Sequence, residues 1–357
     1  MKWNPDRINI FLDISTYCNA GCPQCHRTNP NGLGKQDWLP LIQWDLKTFQ
    51  KAFPREELIH IDTMNICGTW GDPIMAKEFM EICEYAVKSN PFIKISVDTN
   101  GSLRDENWWW LLGAKVGSNL RVIFDVDGIN QEMHSKYRRF TSLEKVLENM
   151  EAISSTKATV CSQTILFKHN QDYKEEIKEL VKKHGSTNHS FVTSDRFKRK
   201  EVVDNKRFFI DENGKEDYLE KADPESVPNG KIVGTDTNKL DYEIKCRWAM
   251  PRNEVVINID GQVLPCCYHS NAYYQGLFDS SYGVDIHENM IYSTMYNSQP
   301  KEYNVLHTPL SQILRSEWYT KTLPNSIKSD NPVKQCEQQC SNRIYKSHQL
   351  RENEKIG

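Results

Sequence analysis

The chain has 357 residues, of which 38% are hydrophobic and 26% are charged, and its formal net charge at pH 7 is -3. This charge argues against a broad nucleic-acid-binding surface, and no apolar stretch reaches the roughly 18 residues that a membrane span requires. Eleven cysteines in grouped spacings fit metal binding in a reducing interior better than a disulfide scaffold, and no signal-peptide pattern precedes them. We therefore expect a cytoplasmic protein.

The first element in chain order is an apolar, strand-like segment, Ile8–Ile14, which is followed at once by three cysteines. They form a C-x3-C-x2-C pattern at Cys18, Cys22 and Cys25. Three thiolates can converge on one soft metal centre, whereas structural zinc sites and electron-transfer clusters normally take four protein ligands. The pattern predicts a [4Fe–4S] cluster with one iron open to a small molecule; a zinc site completed by a ligand such as His26 is the alternative.

Strand-like runs that end near a glycine and lead into helical patterns recur downstream of the cysteines. Such strand–helix repeats predict an α/β fold with parallel strands, and ligands then collect at the carboxyl ends of those strands. We expect about six units, with the fifth strand over 158–167 and the sixth near 189–193. Polar motifs stand at three of the strand ends: GTWGDP at 68–73, TNG at 99–101 and DG at 127–128.

The cysteine pattern and these three motifs, in this order, resemble the signature of the radical S-adenosylmethionine (radical SAM) superfamily. The resemblance implies a partial (β/α)6 TIM-like barrel and a cluster whose open iron is chelated by SAM. GTWGDP is similar to the family's Gly-Gly-Glu-Pro element. Asp127-Gly128, followed by His134 and Tyr137-Arg138, resembles a stretch found in peptide-modifying branches.

The resemblance also implies which residues contact SAM. Asp72, beside Gly71, takes the acidic position that binds the SAM amino group, although an exposed turn aspartate is the alternative. Gln24 stands where the family often has an aromatic residue, and its backbone would face the adenine. Asn100 would either bond SAM or cap a turn. Asp125 occupies a place where related enzymes often carry a serine, and it would repel the SAM carboxylate unless it turned to the ribose hydroxyls.

Other chemistry-bearing residues allow two interpretations each. Cys67, at the end of the second strand, could donate a hydrogen atom at the barrel mouth, or fill the core as buried cysteines usually do. Trp108–Trp110 could stack on substrate, but aromatic residues at helical spacing usually fill the outer layer of a barrel. The basic run 196–200 could contact phosphates, but its mixed charges favour a solvated linker.

The C-terminal region contains a second group of cysteines. The pattern around Asp260-Gly261 predicts a β-hairpin over 255–264, with Asp-Gly as its turn. This hairpin, its flanking cysteines and the segment 310–319 resemble the SPASM or twitch extension of radical SAM enzymes. The resemblance implies one auxiliary [4Fe–4S] cluster; a tetrathiolate zinc ribbon is the alternative. Cys267 would be a spare, although exchange with its neighbour is possible, and the implied ligands are Cys246, Cys266, Cys336 and Cys340.

The expected organisation is therefore a barrel core over 1–194, a charged linker over 195–242, an auxiliary cluster domain over 243–347 and a polar tail over 348–357. The linker would be partly extended across the barrel mouth, or disordered when substrate is absent. The implied function is an enzyme that modifies a peptide or protein side chain with a SAM-derived radical, supplied with electrons by a flavodoxin or ferredoxin. Small molecules, nucleotides or nucleic acids are the alternative substrates. A non-catalytic iron–sulfur carrier or sensor is the alternative class. No membrane partner is expected, and nucleic acid is not favoured.

Overall fold

The structure is a computed structural model, and it describes residues 1–194, 196–198, 202–226, 243–270, 301–329, 332–341 and 351–355. Within these ranges no helix is long and apolar enough to cross a membrane.

Six parallel strands in chain order form the core of the protein, and helices connect them. This arrangement confirms the predicted α/β fold and its partial (β/α)6 barrel. The strands are β1 (Ile8–Leu12), β2 (Ile61–Ile66), β3 (Lys94–Thr99), β4 (Leu120–Asp125), β5 (Thr159–Leu166) and β6 (Asn188–Thr193). The helices are α1 (Leu46–Ala52), α2 (Arg55–Leu58), α3 (Phe79–Ser89), α4 (Glu106–Val116), α5 (Gln131–Ser135), α6 (Leu143–Ser154) and α7 (Lys174–Lys183).

Strands β1 and β3 bury alternate residues and leave the residues between them less buried. In β1 the side chains of Ile8, Ile10 and Leu12 are buried, whereas Asn9 and Phe11 between them are partly exposed. This alternation follows from the two-residue period of a strand. The interior face is therefore the face that can meet a ligand.

The tryptophan run lies in the outer layer, as its helical spacing predicts. Helix α4 begins after Asp105, whose carboxylate accepts a hydrogen bond from the backbone N–H of Trp108 at 2.8 Å. Trp109 is fully buried and packs on Phe124 of β4 with ring centroids 5.0 Å apart. Trp110 is exposed on the outside of the helix.

Residues 202–220 form a three-stranded antiparallel sheet, so the prediction of a partly extended linker is wrong for this part of 195–242. Its strands are β7 (Val202–Val203), β8 (Lys206–Ile210) and β9 (Glu216–Glu220). Asp204 and Asn205 both have positive φ, 48° and 60°, as in a two-residue hairpin turn. Phe209 and Leu219 are buried on one face, while charged residues are interspersed along β8 and β9, which explains why composition alone suggested a linker. Residues 227–242 lie outside the described residues.

The predicted C-terminal hairpin is confirmed, and it extends the barrel sheet. Strands β10 (Glu254–Ile257) and β11 (Val263–Leu264) are antiparallel around Gly261, whose φ is +86°. β10 pairs parallel with β1, where Leu12 faces Ile257. Within the predicted tail, β12 (Arg351–Lys355) pairs antiparallel with β6 through its backbone. The sheet order is β11-β10-β1-β2-β3-β4-β5-β6-β12.

Short helical elements complete the C-terminal region, and they place its last cysteines beside the hairpin. They are α8 (Leu310–Arg315), a turn of π-helix at Trp318–Thr322, α9 (Leu323–Ser326) and α10 (Lys334–Cys340). Tyr319 is buried, and its hydroxyl donates to the carbonyl oxygen of Val263 at 3.0 Å. This bond attaches the helical part to β11.

Candidate functional site

The three N-terminal cysteines lie in one loop at the carboxyl end of β1. The backbone N–H of Cys25 donates to the carbonyl oxygen of Cys22 at 2.9 Å, and the N–H of Ala20 lies 3.3 Å from Cys18 Sγ. Burial, together with Asp72 and the neighbouring thiols, raises the pKa of Cys18 far above its usual range. Burial also raises the pKa of Cys22 to about 12, although Arg138 acts in the opposite direction. Because thiolates are the metal ligands, binding of a metal would release these protons.

The 68–73 loop is pressed against the cysteine loop. A Cβ atom on Gly71 would lie 2.3 Å from the carbonyl oxygen of Ser15, which is closer than any side chain tolerates. The N–H of Asp72 donates to the carbonyl oxygen of Tyr17 at 2.7 Å. Gly71 is therefore required for this close approach of two backbones.

Asp72 is only 4% exposed, so it is not an exposed turn aspartate. Its carboxylate accepts hydrogen bonds from Thr99 Oγ1 at 3.0 Å, from the backbone N–H of Asn100 at 2.9 Å and from Asn100 Nδ2 at 2.6 Å. Burial raises its pKa, and these hydrogen bonds act against that shift. Asp72 thus connects the ends of β2 and β3. Its contact with a SAM amino group stays a prediction.

Asn100 and Gln24 also lie at the cysteine loop. Asn100 Nδ2 is 3.9 Å from Cys18 Sγ and 2.9 Å from Asn19 Oδ1. Gln24 is buried; its side-chain oxygen accepts from Ser194 Oγ at 2.7 Å and its backbone carbonyl accepts from Arg196 Nη1 at 2.6 Å. These contacts hold the third-strand end and the sixth-strand end against the loop.

Arg138 is the centre of a buried charge network that sequence reasoning did not assign. Its Nη1 lies 2.9 Å from Asp125 Oδ2 and 3.9 Å from Cys22 Sγ, and its Nε lies 2.5 Å from Asp127 Oδ2. Burial raises the pKa of Asp125 to about 7 although Arg138 opposes the shift. Asp125 therefore faces a guanidinium, and it also accepts from Gln163 Nε2 at 2.7 Å. The sequence signal was the Tyr-Arg pair itself, but its partners were not evident from spacing.

The C-terminal cysteines form a second neighbourhood. Cys266 and Cys336 are buried, and burial together with Cys246 and Cys340 raises the pKa of Cys336. The N–H of Lys245 donates to the carbonyl oxygen of Cys340 at 3.2 Å, which joins the first and last cysteine segments. The four predicted ligands therefore lie in one region of the C-terminal part.

Two further residues of this neighbourhood differ in their surroundings. A ring nitrogen of His269, which sequence reasoning missed, lies 3.4 Å from Cys336 Sγ. Cys267 lies near Arg252 and Glu254 of the hairpin as well as Cys340. It therefore faces a more polar environment than Cys266 does.

The donor sets at both places fit iron–sulfur clusters. Each set offers soft thiols, and N–H groups point at the sulfurs: those of Ala20, Asn100 and Arg138 at the first place, and that of Ala249, 3.4 Å from Cys246 Sγ, at the second. Hydrogen bonds to sulfur are a means by which proteins tune such clusters. The fit is one of donor chemistry: in the part of the chain that the structure describes, no three His, Cys, Asp or Glu side chains lie close enough together to hold a metal ion as they stand, so cluster binding would require the thiols to turn toward one another.

Comparison with protein families gives two matches. The model of the radical SAM superfamily matches residues 12–184, and the model of SPASM, an iron–sulfur cluster-binding domain, matches residues 246–341. A search of the curated proteins found no match.

Comparison with solved structures gives several matches. Streptococcus suis SuiB bound to the precursor peptide SuiA aligns with a TM-score of 0.51 at 13% identity, over 94% of this chain and 77% of that one. BtrN in complex with AdoMet and 2-DOIA gives a TM-score of 0.45 at 13% identity, over 98% of both chains. Native anSMEcpe with bound AdoMet gives 0.40 at 19% identity, over 52% of this chain and 51% of that one, so the chain spans about half of that protein in the alignment. The alignment with SuiB, the one of these three with a TM-score above 0.5, shows a shared fold and nothing beyond it.

Proposed function

Because the chain belongs to the radical SAM superfamily and carries a SPASM-type iron–sulfur domain, we propose that this enzyme modifies a side chain of a peptide or protein. The cluster and SAM, when bound, supply a 5′-deoxyadenosyl radical that removes a hydrogen atom from a carbon which no side-chain base could deprotonate. The outcome would be an oxidation, a cross-link or an epimerisation. The protein itself would bind and orient the substrate and exclude water from the site.

The residues of the cysteine loop and its neighbours would each have a separate role in binding the cluster and SAM. Cys18, Cys22 and Cys25 would hold the cluster, and Arg138 would compensate the negative charge of their thiolates. Asp72 would accept from the amino group of SAM, in exchange for one of its present contacts with Asn100. Gln24 would present its backbone to the adenine.

The observation that carries the peptide assignment is the construction of the 127–141 stretch. Asp127 accepts from Arg138 Nε at 2.5 Å and from the backbone N–H of Ile165 at 2.6 Å. The N–H of Asp127 points at His134 Nδ1 at 3.2 Å, and the other ring nitrogen of His134 lies 3.0 Å from Thr141 Oγ1. The residues that resemble the peptide-modifying branches thus form one buried unit at the carboxyl end of β4. The fold shared with SuiB, a protein solved with a precursor peptide, supports the same assignment.

The test is an anaerobic assay with deuterated peptide or protein candidates. Deuterium should move from the substrate into 5′-deoxyadenosine, and Cys22→Ala should abolish this transfer. Transfer only from a nucleotide, a sugar or another small molecule would refute the peptide assignment while leaving the radical chemistry intact. A carrier or sensor would release no 5′-deoxyadenosine at all.

We further propose that Cys246, Cys266, Cys336 and Cys340 hold one auxiliary [4Fe–4S] cluster, and that a flavodoxin or ferredoxin supplies electrons. Four thiolates would leave every iron of this cluster closed, so its role would be electron transfer rather than direct coordination of substrate. The gathering of these four cysteines by the hairpin and α10 supports the ligand set.

A further inference from the structure

Three polar side chains lie side by side on the inner face of the barrel: Asp13, Cys67 and Asp98. The sheet register places them in one row, because Leu12 pairs with Ile66 and Ile66 pairs with Val97, and each polar residue follows one of these. Residues at the same register position of adjacent strands share a face. The row lies one layer deeper in the barrel than Asn100, which contacts the cysteine loop.

Asp13 is the unusual member of this row. It is 0% exposed, and one carboxylate oxygen accepts from the backbone N–H of Thr69 at 3.0 Å. The other oxygen, Oδ2, has no hydrogen-bond partner among the residues that the structure describes. Burying a polar atom without a partner is unfavourable, and such atoms in native proteins call for a specific explanation. Here the neighbouring side chain in the row is a thiol.

Cys67 differs from a core cysteine. It is half-buried, and its sulfur lies 3.8 Å from the hydroxyl of Thr69, the residue that also binds Asp13. Cys83 on α3, in contrast, is fully buried in the apolar core. Burial, together with Asp13, Asp98 and Cys267, raises the pKa of Cys67 well above its usual range. The side chain is therefore an S–H group that faces the barrel interior, and it is not part of the apolar core.

We propose that Cys67 returns a hydrogen atom to the substrate carbon radical, with Asp13 as its proton source; this inference rests on the proposed function. In this step the S–H bond breaks and a C–H bond forms, so the substrate carbon regains its hydrogen and Cys67 becomes a thiyl radical. One electron from a low-potential donor protein and the proton of the Asp13 carboxyl group then restore the thiol. The substrate is neither oxidised nor cross-linked, so among the possible outcomes this step selects inversion of a carbon centre.

The experiment uses the reconstituted enzyme in D2O with an unlabelled peptide substrate. Because a thiol exchanges its hydrogen with solvent, the wild-type product should carry one deuterium at the inverted carbon. Cys67→Ala should lose this deuterated product while it still releases 5′-deoxyadenosine, and Cys83→Ala, the matched control, should behave as wild type. A Cys67→Ala enzyme that forms the deuterated product at the wild-type level would overturn the proposal.

A second readout needs neither cluster nor substrate. In the metal-free protein at about pH 9, where Asp13 with its pKa of about 7 is ionised, iodoacetamide labelling of Cys67, followed by peptide mapping, should become faster in Asp13→Asn and in Asp98→Asn. Each change removes a carboxylate that holds the thiol protonated, and the thiolate is the reactive form. Unchanged labelling rates would show that Asp13 and Asp98 do not act on Cys67, and would refute the proposed interaction within the row. If no peptide passes deuterium to 5′-deoxyadenosine, the proposed function fails, while the labelling result still decides on the row.

Discussion

Replacing Arg138 by methionine should strongly destabilise the metal-free protein. The Arg138 side chain is 10% exposed and pairs with two carboxylates, so the variant would leave two buried acids without their cation. Asp127 is 0% exposed and cannot turn to water, whereas Asp125 retains its bond to Gln163. Removing one partner of a buried ion pair typically costs about 3–5 kcal/mol, and we expect a loss of that size in the free energy of unfolding.

Urea denaturation followed by tryptophan fluorescence measures this loss as a shift of the midpoint at constant slope. The matched control is Arg7→Met, since Arg7 pairs with Asp62 at 3.0 Å but their side chains are 75% and 43% exposed. That pair should contribute no more than about 1 kcal/mol. The deficit of Arg138→Met should shrink as the pH falls, because protonated carboxyls no longer need a cation. A deficit no larger than that of the control, or one independent of pH, would refute the reasoning.

Four further predictions concern a buried charge, the metal content, the auxiliary cluster and SAM binding. Burial raises the pKa of Asp13 from 3.8 to about 7, so the stability that its proton contributes below pH 4 is lost as the pH rises through 7. Asp13→Asn does not lose this stability. Relative to wild type, its free energy of unfolding should therefore rise by up to about 4 kcal/mol over that pH range, measured by urea unfolding. Anaerobic reconstitution should give about eight irons per chain, and about half after the N-terminal cysteines are changed to alanine; stoichiometric zinc would contradict both clusters. Cys336→Ala should abolish substrate turnover but keep uncoupled SAM cleavage, whereas Cys267→Ala should keep the auxiliary cluster. Asp72→Ala should weaken SAM binding by roughly 1.5–3 kcal/mol in a titration, the contribution of a charge-assisted hydrogen bond.

The sequence predicts the neighbours of the cysteine loop well because the fold class decides them. Once strand–helix units imply parallel strands, the motifs after β1, β2 and β3 must meet at one edge of the sheet. The contacts of Asn100 with Cys18 and Asp72 are the direct result. The auxiliary hairpin was similarly accessible, because Asp260-Gly261 is a local turn signal.

Contacts between segments that are far apart in the sequence could not be predicted in the same way. Hydrophobic alternation tells which face of a strand is buried but not which strand lies beside it, so the pairing of β10 with β1 could not be predicted from either segment. The three-stranded sheet over 202–220 was not predicted because its strands are short and five of their twelve residues are charged. Its signal was the Asp204-Asn205 turn, whose residue types tolerate positive φ. Arg138 was noted in the sequence, but its spacing did not show that Asp125 and Asp127 are its ion-pair partners.

The effect of Asp13→Asn on stability distinguishes an active-site role of Asp13 from a structural role. A carboxylate retained for stability should have its oxygens satisfied, and its replacement by the isosteric asparagine should cost stability. Asp13 instead leaves one oxygen unpartnered among the described residues and has a raised pKa, so Asp13→Asn should gain stability at neutral pH. A group that destabilises its own fold while lying beside a protonated thiol is the pattern expected of an active-site residue. If Asp13→Asn instead lost stability at every pH, Asp13 would be structural, and the proton source of Cys67 would have to be sought elsewhere.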